Sequence, residues 1–271
     1  MAFYVFQETY SVVLLERKAA KLRKETGNPR YRSRLDTGLT PRELWAFSLV
    51  RPVKLLFLSP IVSAMCAYIA VLYGLLYILF TTFTYVFEGV YRFSTSTAGL
   101  SFLGSGIGTL AGLGIVATIS DRIIKRKKAA GTAIKPEDRL PLFVIFPATL
   151  LIPSGLIIYG WSTAKAVHWI VPQIGTAIIG IGMMSILMCI QTYLVDAFNI
   201  YAASAIAANA VLRSLLGALF PLFGLKLYDK IGLGWGNTTL GLIALMMAPI
   251  PWIFSVYGER IRTNPRWQVK I

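Results

Sequence analysis

The chain has 271 residues, 56% of them hydrophobic and only 14% charged, with a formal net charge of +15. Soluble chains average about 45–50% apolar and about 25% charged residues, and a soluble core does not absorb charge-free runs such as Leu142–Ile158 or Trp235–Tyr257. The basic excess sits in blocks between apolar runs, too short beyond the first to build the basic, aromatic-lined surface that nucleic acid needs, so the lipid bilayer is the expected partner and nucleic acid is not.

Residues 1–54 form a polar, basic arm. Met1–Phe6 is apolar but ends at Gln7 and Glu8, too short for a signal peptide. Glu16, Arg17, Lys18, Lys21, Arg23, Lys24 and Glu25 predict a solvated helix, which Gly27-Asn28-Pro29 ends. A second short amphipathic piece, Pro41–Leu49, leads toward the first apolar run. Crossing a hydrocarbon core of roughly 30 Å takes about 20 apolar residues of helix. Six segments meet that need, near 57–83, 98–120, 141–160, 169–193, 201–224 and 235–257. The expected fold class is therefore an all-α membrane protein with six transmembrane helices, its bundle spanning 55–258 and a tail 259–271.

Lys and Arg divide unevenly between the two sides. Eleven precede the first span, seven lie in 121–139 and four follow Tyr257, all on the side of the termini. The other side holds Arg92, Lys165, Lys226 and Lys230, and Arg213 lies within a span. The positive-inside rule then predicts that both termini are cytoplasmic.

Within the spans, Gly104, Gly108 and Gly112 recur every four residues on one helix face. This GxxxG pattern lets helix backbones approach closely. Ala203, Ala207, Ala210, Ser214 and Gly217 make a comparable small-residue face on the fifth span. Both faces are candidates for helix packing, within the bundle or against another bundle. The small-residue helix is second in each group of three, the arrangement of two inverted three-helix repeats. Arg213 sits half-way along the fifth span with Asn209 one turn earlier. An intramembrane charge costs at least ~2.5 kcal/mol by insertion scales and takes a partner or a wet cavity; Asp196, after the fourth span, is a candidate partner, the alternative being that Arg213 reaches toward the headgroups. With Gln191 and Tyr193 at the end of the fourth span, these residues are candidates for a transport pathway or gate. Cys66 and Cys189 lie in apolar runs as small core residues, and a lone His168 makes no metal site. No catalytic constellation, phosphate loop or metal spacing appears, so neither an enzyme nor a bound cofactor is expected.

Several stretches together resemble the C-terminal half of fungal major facilitator superfamily transporters of the twelve-span drug:proton antiporter group. Glu8-Thr9-Tyr10 with Leu14–Asn28 is similar to the segment after that family's sixth helix. Tyr73–Tyr77 with Phe80–Phe83 is similar to its seventh helix, and Gly99–Gly108 to its eighth. Tyr193–Phe198, Tyr201–Ala205 and Leu212–Ser214 resemble its tenth and eleventh, and Gly232–Asn237 the start of its twelfth. Asp121-Arg122, with Lys125 and Arg126, resembles the family's cytoplasmic loop motif, which locks that side through charge pairs; Ala117 and Ile124 stand where the motif prefers glycine. Gln7 replaces a proline usual before Glu-Thr-Tyr, and Arg92 a glycine usual before Phe-Ser.

The resemblance implies proton-coupled export of small organic molecules such as drugs, toxins or polyamines, from a plasma membrane. It also implies six further helices before Glu8. A six-helix chain offers one wall of a site between two rocking bundles, so a second transporter half or a second copy is the expected partner, docked on the small-residue faces. The alternative is a truncated membrane protein that transports nothing and is inert or regulates a full-length relative.

Overall fold

A computed structural model describes residues 11–33, 38 and 41–264. The chain divides into two compact units, 1–50 and 51–271. In the first, α1 (Ser11–Thr26) is amphipathic and surface-exposed, with Arg23 paired to Glu16 at 3.1 Å and Lys21 to Glu25 at 3.7 Å. Gly27, at φ 68°, closes it by donating its N–H to the Arg23 carbonyl, the left-handed cap that costs glycine no Cβ clash. Helix α2 (Pro41–Leu58) carries the boundary between the units.

The second unit is all helix among its described residues: α3 (Pro60–Gly89), α4 (Leu103–Ala129), α5 (Leu142–Ala164), α6 (Ile170–Phe198), α7 (Ala202–Leu219), α8 (Pro221–Met247) and α9 (Pro249–Thr263). Ser59 is extended and Pro60 starts α3 with its φ already helical. A turn capped by Ser94 leads through Gly99–Phe102 into α4. Serine and threonine hydroxyls inside the spans bond back to carbonyls one turn earlier, as Thr82 does to Ile78 and Thr163 to Tyr159. Lipid offers them no other partner.

Six spans are present, and their ends correct the expected bounds. Helix α4 runs on to Ala129, through what the sequence reads as a basic loop, because lysine and arginine are good helix formers and Arg126, Lys127 and Lys128 suit the negative C-terminal end. The fifth span does not stop at 224. Phe220 keeps helical angles, so α7 continues into the first arm of α8. The chain reverses at Gly232, whose φ of 75° and ψ of 168° interrupt the helix. The Tyr228 hydroxyl reaches the Asn237 Oδ1 at 3.0 Å, although nine residues of straight helix would separate them by about 13 Å. The second arm of α8 passes through Ala248 into α9 and completes the sixth span.

The order of packing has a two-fold logic. The first helix of each trio lies on the second helix of the other, α3 on α7 and α6 on α4, and the third members, α5 and the α8 hairpin, lie on each other. This is the pattern of two inverted repeats. Helix α6 also runs along α5. The α4–α6 seam is the glycine face: Gly104, Gly108 and Gly112 meet Gln173, Ala177 and Ile181 of α6, and a Cβ on Gly180 would stand 2.7 Å from the Ser105 carbonyl. The Gln173 side chain spans the seam end, accepting from the Gly104 N–H at 2.9 Å and donating to the Leu100 carbonyl at 3.2 Å.

A methyl group at Gly108 would press on the backbone of Ala177, whereas one at Gly106 meets nothing within 4 Å. Gly108→Ala is expected to destabilise the bundle by about 1–3 kcal/mol, the usual range for overpacking, and Gly106→Ala to leave it unchanged or slightly firmer. Thermal unfolding of the detergent-solubilised variants checks the contrast.

Candidate functional site

Two groups of polar side chains stand out against the apolar spans. The first lies where α7 crosses α3. The Arg213 guanidinium carbon sits 5.0 Å from the centre of the Tyr73 ring, a cation–π contact that gains strength out of water. Tyr73 begins an aromatic ladder along α3, with Tyr77 at 5.3 Å and Phe80 6.2 Å beyond it. Phe80 and Phe83 continue to Phe102 at the start of α4, and Phe83 to Tyr159 of α5. Gly217 is buried beneath the Tyr73 and Tyr77 rings. Ala203 and Ser214 of the same stripe are exposed, and Ala207 and Ala210 half-buried.

Asn209, one turn before Arg213, is 1% exposed, and its Oδ1 has no hydrogen-bond partner. A buried carbonyl oxygen without a donor is costly and uncommon. It is an acceptor held ready in a dry place, on the same helix as the intramembrane cation.

The second group lies at the face that holds the ends of α4, α6 and α9. Four ion pairs gather there. Arg139 pairs with Asp196 at 2.6 Å and also donates to the Ser120 hydroxyl at 2.9 Å, joining the start of α5 to α6 and α4. Lys127 pairs with Asp138 at 2.6 Å, Arg262 with Glu137 at 3.2 Å and Lys135 with Glu259 at 2.8 Å. The Glu259 carboxylate accepts the Lys135 hydrogen bond and holds that ammonium above its ordinary pKa. Beside the Arg139 pair is a cleft of about 210 Å³, lined by Asp121, Arg139, Cys189 and Thr192.

These contacts correct three expectations. Asp196 does not reach Arg213, because Arg139 occupies it and Tyr73 covers the arginine. Asp121, Arg122, Lys125 and Arg126 are exposed, and none has an ion-pair partner within 4.0 Å among the described residues; the pairing falls instead to Lys127, Lys135, Glu137, Asp138 and Arg139. The glycine face of α4 is covered by α6 and is not a free docking surface. Gln191 is half-buried, and Tyr193 is fully buried with its hydroxyl 3.3 Å from where a Cβ on Gly258 would stand. Tyr73 and Tyr77 lie outside the candidates that the sequence suggests; their four-residue spacing on a helix containing no charge before Glu88 is the available signal. No group of three or more His, Cys, Asp or Glu that could hold a metal is found among the described residues.

The family model of the Major Facilitator Superfamily matches residues 9–221. This chain belongs to the major facilitator superfamily. Similar proteins include the MFS-type transporter penM of Penicillium rubens, 52% identical over 99% of this chain and 52% of its own length. The MFS-type transporter tndD of Aspergillus flavipes is 52% identical over 96% of the chain and 49% of its own. The efflux pump radE of Floropilus chiversii is 47% identical over 98% of the chain and 50% of its own. The chain spans about half the length of the curated relatives it matches.

For a major facilitator chain, the ion pairs at the α4, α6 and α9 ends fasten three helices to one segment, 127–139. The Arg139–Asp196 pair is partly shielded, its side chains 25% and 32% exposed, so its coupling is placed at about 1 kcal/mol, the upper end for accessible pairs. Arg139→Glu and Asp196→Arg are each expected to lower thermal stability, and their combination to recover most of the loss. Arg122→Ala is expected to change nothing measurable. A double-mutant cycle by thermal unfolding reads both outcomes.

Proposed function

We propose that this chain forms the C-terminal six-helix half of a twelve-span exporter that moves small organic molecules across a membrane, in exchange for protons. The observation that carries the reading is the α7–α3 crossing: an intramembrane arginine over an aromatic ring and a buried acceptor without a donor, on the least covered of the spans. An intramembrane arginine facing lipid alone would be costly. It suits one wall of a pathway whose other wall is a second bundle, either a first transporter half or another copy of this chain. The names of relatives, transporter and efflux pump, support the direction of transport.

In this reading Arg213 and the Tyr73–Tyr77–Phe80 ladder line the apolar, aromatic side of the pathway, and Asn209 supplies a hydrogen-bond acceptor. Asp196, with Gln191 and Tyr193 near it on α6, belongs to the gate. The ion pairs of segment 127–139 hold that end closed, and Asp121 and Arg122 steer charge at its rim. Drugs, toxins and polyamines are the substrate classes proposed. Both termini face the cytoplasm, as the distribution of lysine and arginine supports, and the family resemblance suggests a plasma membrane.

A second reading is that this six-helix bundle inserts and pairs with a full-length relative without transporting. Expression of the chain with and without the first six helices of a close relative separates the two, read as efflux of a fluorescent organic cation from cells. Efflux only when both are present supports the transporter. Arg213→Ala is then expected to lower efflux about tenfold or more, the loss of ~1.4 kcal/mol in the transport step, with normal insertion in the membrane. Efflux at the unaltered rate would remove Arg213 from the pathway. Labelling of a cysteine placed at Ala166 by an impermeant thiol reagent from outside intact cells tests the orientation.

A further inference from the structure

A cavity of about 620 Å³ lies in the angle between α3 and the α8 hairpin, just beyond the α7–α3 crossing, where the Phe220 ring packs on Gly74. That volume falls within the range of ligand pockets, roughly 300–1,000 Å³. Its lining is divided along its length. Ile78 and Phe220 form one end, Phe223 flanks the middle at 65% exposure, and Lys226, Asp229 and Lys230 form the other. Phe220, Phe223 and Lys230 fall on one stripe of the continuous helix, and Lys226 borders it.

The cavity has the dimensions of one leaflet. Ten residues of helix from Phe220 to Lys230 rise about 15 Å, half of a hydrocarbon core of roughly 30 Å. The charged end lies within two turns of the Gly232 reversal, where the chain leaves the bilayer. Among the described residues none of the three charged side chains has an ion-pair partner within 4.0 Å, neither with one another nor with a neighbouring helix. By helix rise, two ammonium groups and one carboxylate thus stand near headgroup depth above an apolar, aromatic trough that runs down into the same leaflet.

We propose that this cavity binds one phospholipid from the leaflet containing the Gly232 turn, a lipid whose head group carries a phosphate and a primary amine. Lys226 and Lys230 hold the phosphate, Asp229 accepts the amine, and an acyl chain lies along Phe223 and Phe220 against Ile78. A head group with glycerol in place of the amine satisfies the lysines and leaves Asp229 facing no cation. The lysines do more here than reach for the nearest headgroups, as snorkelling side chains do anywhere: they share the mouth of a preformed trough with a carboxylate that they do not neutralise, and that combination selects.

The test is native mass spectrometry of the full chain in mild detergent, titrated with phosphatidylethanolamine, phosphatidylglycerol, phosphatidylcholine and diacylglycerol of matched acyl chains. Expected are one retained phosphatidylethanolamine per chain, weaker phosphatidylglycerol and little diacylglycerol. The K226A/K230A variant should bind phosphatidylethanolamine about thirtyfold more weakly, and Asp229→Asn should erase the preference for the amine head group. All three side chains are exposed, and circular dichroism checks that the variants keep their helices. Equal retention of diacylglycerol, or a K226A/K230A variant that binds as the unaltered chain does, would overturn the proposal and leave only annular lipid. Displacement of the lipid by millimolar inorganic phosphate would overturn it too, making the lysines a free-anion site.

Discussion

Lipid gives one apolar helix no hydrophobic reason to leave it for another, so helices in a bilayer gather where they fit. In this chain the fit is made by backbone on backbone along α6. Gly108 of α4 lies on the main chain of Ala177, Gly180 of α6 on that of Ser105, and Gly182 of α6 faces the Ala148 carbonyl of α5. Approach this close multiplies dispersion contacts that are each small. It makes α6 the strut between α4 and α5.

The end of that strut sets where the charges meet. Asp196 sits near the last turn of α6, and α4 and α5 are already pressed against the same helix, so the segment that joins them must pass within reach of it. Arg139 closes that triangle by touching Asp196 and Ser120 at once. The neighbouring pairs to Arg262 and Glu259 extend the fastening to α9. Single surface pairs of this kind contribute little. Four on one short segment act on the same local geometry, and that is how a weak interaction becomes a latch.

What the sequence makes legible and what it hides follow from range. Six spans are readable because about 20 apolar residues are a local property, and the glycine periodicity is local too. The partner of that glycine face is not, because nothing in Gly104, Gly108 and Gly112 distinguishes α6 from a second bundle. Pairing Arg213 with Asp196 fails for a related reason: a carboxylate at the end of the preceding span is assigned by sign of charge, while the actual cover is a neutral ring on α3 that charge counting does not register. The loop motif points to the correct end of the bundle but not to the residues that pair there. Helical continuation of α4 to Ala129 leaves Asp121, Arg122, Lys125 and Arg126 exposed, and the pairs form farther along the chain, from Lys127 onward.

The two seams related by the inverted repeat are built differently, and the difference has a consequence. Along α4–α6 the nearest atoms are backbone, which cannot change rotamer. Along α3–α7 the atoms nearest to where a Cβ on Gly217 would stand are ring carbons of Tyr77 and Tyr73, at 3.5–3.7 Å, and Arg213 lies over a ring that gives it no directional hydrogen bond. Side chains can re-seat where main chains cannot, and a cation over an aromatic face slides at small cost compared with a broken ion pair. The same symmetry therefore yields one rigid seam and one compliant seam. The compliant one carries the intramembrane cation and the buried orphan oxygen of Asn209, while along α6 main chain rests on main chain.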